Sequence, residues 1–206
     1  MVHELSTPLA THLVNRLRDE ATDAERFRRL IAQLTLLLAD AAIGTDDLNP
    51  VRLQTWRGEA EYPLVAESEL LFVTILRAGL PMLEAAMELF PQASAGFLAM
   101  KRDETTHEAK LYYDRVPDCR GKHVVLVDPM VATGGSLADA VTLLRQKAPA
   151  RITSLHIIAS PEGLERVSAA HPDLALFVAR IDPGLDADKF IQPGLGDAGD
   201  RAFNTL

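Results

Sequence analysis

Residues Val124 to Ser136 read V-V-L-V-D-P-M-V-A-T-G-G-S, and no other stretch constrains the fold as much. An apolar, β-branched run ends in an acid; a short loop of small residues follows, then a serine able to cap a helix. A parallel strand of this kind delivers a carboxylate and a glycine-bearing loop to its C-terminal edge, where open α/β sheets bind ligands. Thr133, Gly134, Gly135 and Ser136 offer backbone N–H groups and two hydroxyls at a helix N-terminus, the parts of a phosphate cradle. Asp128 lies one short loop away, suited to sugar hydroxyls or a metal-bound water. The pairing points to a phosphorylated sugar.

Two other phosphate motifs are set aside. The sequence has no G-x-x-x-x-G-K-[ST], which argues against a P-loop nucleotide hydrolase. Gly194 to Gly199 is a literal G-x-G-x-x-G, but it follows Pro193 and stands seven residues from the end of the chain. No room remains there for the crossover helix and second strand of a dinucleotide unit, so these glycines are read as a shaped ligand loop.

The rest of the chain alternates strand and helix patterns. Ala24 to Ala42 places Phe27, Leu30, Ile31, Leu34, Leu37, Leu38 and Ala41 at helical spacing, a core helix that also has a face for a second subunit. Residues 51–64 read as two short strands around Arg57-Gly58. Leu71 to Leu76 is continuously apolar, as in a central parallel strand, and Gly79 to Phe90 is a helix. Strands at Ala95–Met100 and Lys110–Arg115 flank a polar stretch, Lys101 to Ala109, read as a flexible loop over the site. Next come a strand at His123–Val127, a helix at Ser136–Lys147, a strand at Ile152–Ala159, a helix at Pro161–Ala170 and a strand at Leu174–Val178. Residues 182–206 form an irregular, Gly-rich cap. This order predicts a single α/β domain, a mostly parallel central sheet with helices on both faces. Residues 1–69 are its N-terminal helices and hairpin arm, 70–181 its α/β core.

Composition narrows the function. A net charge of −8 leaves no excess of Lys and Arg for broad nucleic-acid binding. The single cysteine, Cys119, excludes an internal disulfide and fits a reducing cytoplasm. No apolar run reaches the roughly 18 residues of a membrane span, and Met1 to Thr11 lacks a signal-peptide core. The six histidines show no metal-site spacing.

Five segments, in order, carry a family resemblance: Thr74 to Leu80 (T-I-L-R-A-G-L), Asp128 to Ser136, Ala159 to Gly163 (A-S-P-E-G), Ala170 to Asp173 (A-H-P-D), and Ile191 with Pro193 to Arg201 (P-G-L-G-D-A-G-D-R). The chain resembles the uracil phosphoribosyltransferases, which have the type I phosphoribosyltransferase fold. Arg26-Phe27-Arg28 and the Trp56-Arg57-Gly58 turn match more loosely. Phe190 stands where the family commonly has Tyr, and Asn204 where it has Gly. The single acid before Pro129 resembles the uracil branch, where purine and orotate enzymes carry two adjacent acids.

The resemblance implies transfer of a 5-phosphoribosyl group from its 1-diphosphate (PRPP) to N1 of uracil, giving UMP and diphosphate in pyrimidine salvage. It implies that Asp128, Arg77, Arg102 and Asp197 are the catalytic set. PRPP would be held by Arg77, Arg102, Asp128, Pro129, Met130, Val131, Ala132, Thr133, Gly134, Gly135, Ser136 and Asp197. Uracil would be held by Ile191, Gly196, Asp197 and Ala198 in a C-terminal base-binding hood, residues 182–206. Mg²⁺ would enter with PRPP, held by its oxygens and waters and not by an all-protein cage. The resemblance also implies a homodimer or higher assembly and, from some members, GTP as an activator. Two alternatives stay open: a phosphoribosyltransferase for another base, prompted by Phe190 and Asn204, and a ligand-sensing regulator on the same fold. On residues alone Arg77 is better read as a structural ion pair, Asp128 is equally a strand-end acid that caps the following turn, and the C-terminal tail is equally a structural turn.

Overall fold

The computed structural model of the chain describes residues 1–102 and 109–205. In order these give β1 (Val2–Glu4), α1 (Pro8–Arg18), α2 (Ala24–Ala42), β2 (Leu48–Thr55), β3 (Gly58–Val65), β4 (Leu70–Leu76), α3 (Leu80–Leu89), β5 (Ser94–Arg102) and β6 (Ala109–Arg115). The second half gives β7 (His123–Val127), β8 (Met130–Val131), α4 (Gly135–Gln146), β9 (Arg151–Ala159), α5 (Pro161–Ala170), β10 (Ala175–Ile181), β11 (Gly184–Leu185), β12 (Ile191–Gln192) and α6 (Ala198–Phe203).

Among the described residues the main sheet runs β1-β10-β9-β7-β4-β5-β6, with β8 also paired to β9. All of its pairings are parallel except β5 with β6. The continuous apolar runs of the central strands follow from burial on both faces. In β4 and β7, Phe72, Val125 and Val127 pack toward α1, α2 and α3, while Leu71, Val73, Val124 and Leu126 pack toward α4 and α5. Asp23 caps α2 by accepting Arg26 N–H at 2.8 Å. Its stripe then buries Phe27, Leu30, Ile31, Leu34 and Leu38 against the sheet.

Three expectations are corrected. The hairpin strands have eight residues each, not two short pieces, and they lie off the main sheet. The last long strand is Ala175–Ile181, shifted from Leu174–Val178 because register with β9 continues to Ile181↔Ala159. The helix expected from Ser136 begins at Gly135. The pattern gave no sign of β1, a three-residue strand that pairs with β10 and stacks His3 on Phe177 at 4.7 Å. Residues 103–108 of the expected site loop lie outside the described residues.

The Gly-rich C-terminal segment is tied to the N-terminal helices by arginines. Arg18 forks onto Asp182 at 2.9 and 2.5 Å and also donates to Gly194 C=O at 2.8 Å. Asp182, 2% exposed, accepts Gly194 N–H at 3.0 Å as well. Arg201 donates to the carbonyls of Leu17, Leu195 and Asp19 at 2.5, 2.8 and 2.7 Å, with its guanidinium 4.4 Å over the Phe27 ring. Arg28 reaches Ala202 C=O at 2.6 Å. Residues 182–205 also bury Ile191, Leu195, Ala198 and Ala202 in the core beside α1 to α3, so these bonds act together with apolar packing to fix the segment's position.

Removing one member of a buried ion pair strands the other in low dielectric. Asp182→Ala is therefore expected to cost ~3–5 kcal/mol of unfolding free energy, measured by chemical denaturation. Arg29→Ala breaks only the exposed pair with Glu25 and should change stability by less than about 0.5 kcal/mol. Equal effects would show that the Arg18–Asp182 fork does not anchor the segment.

Candidate active site

Strand β7 delivers Asp128 to the C-terminal edge of the sheet, and the chain then stays close to β9. Asp128 N–H donates to Leu155 C=O at 3.2 Å, Ile157 and Ile158 N–H both donate to Pro129 C=O at 3.0 Å, and Ser160 N–H donates to Val131 C=O at 2.9 Å. Pro129 and Val131 are accordingly buried. The backbone of 129–131 is committed to the sheet; the loop turns outward only at Ala132.

Gly134 makes that turn with φ +74°, the left-handed region, and forms the N-terminal boundary of α4 without any side-chain cap. Ser136 lies inside the helix and does not cap it. The first-turn N–H groups of α4, which a helix cannot satisfy internally, thus open on the cavity described below.

Behind the loop stands the start of α5. Ser160, fully buried, donates to Ala132 C=O at 2.6 Å and accepts Gly163 N–H at 2.9 Å. A Cβ on Gly163 would come within 2.3 Å of the Ala132 oxygen, and one on Gly134 within 2.4 Å of the Gly163 oxygen. The A-S-P-E-G segment is therefore the back wall of the loop, a role that composition alone does not reveal.

The loop faces a cavity of about 660 Å³ whose other wall is the C-terminal segment. Asp128, Met130 to Ser136, Ile191, Gly196 and Asp197 all line it. Of the residues expected at the site, Pro129, Arg77 and Ala198 stand outside the lining. Pro129 is held in the sheet, and Ala198 is fully buried at the start of α6. Arg102 ends β5, with its side chain outside the described residues. Sequence reading missed Lys189 and Gln192, which also line the cavity. Lys189 is the sole cation among the described lining residues. Phe190, which stands where Tyr is common in the family it resembles, lines the cavity with its side chain largely exposed.

The ion-pair reading of Arg77 appears in the geometry, and Asp197 takes a capping role that sequence reading did not assign to it. Arg77 pairs with Asp200 at 2.6 Å and donates to Thr205 Oγ1 at 3.1 Å, yet its side chain remains 56% exposed. Bonds from Thr205 and Arg77 hold the Asp200 carboxyl below its usual range. Asp197 caps α6 by accepting Asp200 N–H at 2.9 Å through Oδ1. The peptide bond between Leu76 and Arg77 is cis.

Asp128 sits at the cavity floor, half-buried, with protein crowding its other sides. Burial disfavours the charged form and pushes its carboxyl up to about 8. His156 lies beneath it, fully buried, and donates from Nδ1 to Asp128 C=O at 2.7 Å. Burial pulls this imidazole down to about 4, so it is neutral at working pH. Among the described residues no group of three or more His, Cys, Asp and Glu side chains could hold a metal ion.

A family model described as uracil phosphoribosyltransferase matches residues 4–205. A uracil phosphoribosyltransferase of Aquifex aeolicus is 41% identical over 203 residues, 98% of each chain. That of Wolinella succinogenes is 40% identical over 205 residues, 99% of each chain. A solved structure of a protein from Aquifex aeolicus superposes with a TM-score of 0.95 at 41% identity, covering 98% of both chains. A hypoxanthine-guanine phosphoribosyltransferase from Bacillus anthracis superposes at 0.52 with 16% identity, over 82% of this chain and 83% of that one, a likeness of fold.

The raised Asp128 carboxyl links stability to pH. A folded-state value above the unfolded one near 3.8 makes a stabilising contribution that is full below 3.8 and is lost as pH rises toward about 8. Asp128→Asn, neutral at every pH, escapes that loss. Its melting temperature should match the parent near pH 4, exceed it increasingly up to pH 8 by on the order of 5 °C, and hold that margin above. Parallel melting curves across this range would show that the carboxyl is not perturbed.

Proposed function

The chain belongs to the uracil phosphoribosyltransferase family, and we propose on that premise that its cavity joins uracil to the 5-phosphoribosyl group of PRPP, giving UMP and diphosphate in pyrimidine salvage. The observation that carries the reading is the meeting, in one cavity, of Asp128 and the uncapped N-terminus of α4 with the Ile191–Asp197 wall.

In this reading the 5′-phosphate is bound by the loop from Ala132 to Ser136 and the first-turn N–H groups of α4. Asp128 accepts hydrogen bonds from the ribose hydroxyls. Uracil lies against Ile191 and Gly196, where backbone N–H and C=O groups meet its two carbonyls and N3–H. Holding both reactants in line supplies much of the acceleration. The bond from C1 to the diphosphate oxygen breaks with its electron pair leaving on the diphosphate, and the bond from uracil N1 to C1 forms. Asp197, with one carboxylate oxygen outside the α6 cap, is our candidate acceptor of the N1 proton. Arg77 and Arg102 would meet the charge growing on the leaving group. The diphosphate would compete with Asp200 for the Arg77 guanidinium.

The donor set fits Mg²⁺ carried in by the substrate. Glu20, Asp128, Asp186, Asp188 and Asp197 line the cavity against Lys189 alone among the described lining residues, a field that would repel a bare diphosphate. Asp128 and Asp197 would hold the ion through its waters. When bound, the ion neutralises charge on the diphosphate.

The departures from the family pattern are compatible with this assignment. Asn204 ends α6 at φ +53°, a left-handed position that Asn accepts nearly as well as Gly. The division into N-terminal arm, core and hood within one domain follows the arginine anchors described above. Self-association through the hairpin arm is supported by exposed Val51, Trp56, Tyr62 and Leu64 on β2, β3 and their turn. A cytoplasmic setting is supported by the free, buried thiol of Cys119.

The test is UMP formation from uracil and PRPP with Mg²⁺. The parent should turn over, and Asp128→Asn should lose about 100-fold or more in kcat. A parent that binds PRPP without forming UMP would overturn the uracil assignment.

A further inference from the structure

The β7–β9 ladder is interrupted beneath the cavity. Val127 pairs with Leu155, and pairing resumes at Met130 with Ile158. Asp128 N–H donates to Leu155 C=O, so regular parallel geometry would send Ile157 N–H to Asp128 C=O. Ile157 N–H instead goes to Pro129 C=O at 3.0 Å. The Asp128 carbonyl is thereby deprived of its backbone donor inside the sheet, where such a group requires a partner.

A side chain fills the gap. His156 Nδ1 lies 2.7 Å from the Asp128 oxygen. The carbonyl can only accept, so Nδ1 carries the proton, and Nε2 is left as a bare lone pair. That atom is fully buried without a hydrogen-bond partner, as is Ser154 Oγ two residues earlier on the same strand face. Leu155 and Ile157 point to the opposite face, into the packing under α1 to α3, so the imidazole sits on the α4–α5 side. An orphaned buried nitrogen opposes the gain from one hydrogen bond. The imidazole therefore adds little to stability, and its consequence is geometric.

We propose that His156 is a positioning residue: by replacing the missing ladder bond to the Asp128 carbonyl, it fixes the peptide from which the Asp128 carboxylate reaches the ribose. The proposal rests on the reading of Asp128 as the ribose-binding acid. It concerns aim and not affinity for the base, because the Ile191–Asp197 wall is anchored separately, through Arg18 and Arg201 to the N-terminal helices.

Side-chain amides separate the geometry from mere filling of space. The Asn amide N–H occupies the place of His Nδ1–H, while the Gln amide reaches the place of Nε2. UMP formation and melting temperature are measured for His156→Leu, His156→Asn, His156→Gln and Asp128→Asn. The expected result is a His156→Leu kcat reduced about 10-fold to 100-fold, with KM for uracil and the melting temperature close to parental. His156→Asn recovers most of the loss and His156→Gln does not. A His156→Leu kcat equal to the parent's, or equal activity of the Asn and Gln variants, overturns the proposal. If the leucine variant does not fold, the Asn–Gln comparison decides alone. Asp128→Asn with parental kcat would sink the ribose reading of Asp128, and this proposal with it. A damaged Asp128→Asn beside a fully active His156→Leu would sink the positioning role only.

Discussion

Parallel strands buried on both faces all release their chain at one edge of the sheet, and the site of this protein depends on that constraint. In such a sheet the backbone is satisfied by the ladder and the side chains by two apolar layers. β7 reaches its end at Val127 and hands over Asp128, and β4 reaches its end at Leu76 and hands over Arg77. β4 and β7 are neighbours in the sheet, so the acid and the arginine arrive at the same edge.

The loop that follows β7 is shaped more by what lies behind it than by its own residues. Its first half is hydrogen-bonded to β9 as though it were still strand, and its second half leans on the N-terminal turn of α5. Gly134 and Gly163 allow backbone to touch backbone there, at separations that no Cβ would permit. The loop is thus fixed before any ligand arrives, with the first-turn donors of α4 already aimed. The opposite wall is held differently. It buries a few apolar side chains; Arg18 and Arg28 bind its carbonyls and Asp182, and its own Arg201 donates to the carbonyls of Leu17 and Asp19. The N-terminal helices, remote in sequence, thereby become part of the site's architecture.

Charge in the cavity is unbalanced in a way that suits a polyanion arriving with a cation. Among the described lining residues several carboxylates face one lysine, and the acid at the floor is pushed toward its neutral form by burial. Under the proposed function, a cation brought in with the substrate would favour the ionised form of Asp128 that accepts ribose hydroxyls.

Much of the fold was legible in sequence. The continuous apolar runs at Leu71–Leu76 and Val124–Val127 could only be doubly buried strands, and the spacing from Phe27 to Leu38 could only be an amphipathic helix. Hydrophobic period reports burial directly, and it named Asp128 and the Gly134–Gly135 turn because both follow such a strand at once. It could not report β1 or β8, whose two or three residues are strands only because β10 and β9 offer them a ladder. It could not place Lys189 on the cavity, or tell that Arg77 faces Asp200. His156 was the least visible: an imidazole within an apolar strand looks like packing until the missing ladder bond to Asp128 is seen. Local pattern, the sequence's own contribution, settled which segments are buried and where the chain turns. Tertiary structure alone decided which distant groups satisfy one another, because a hydrogen bond between residues 28 or 164 positions apart leaves no periodicity to read.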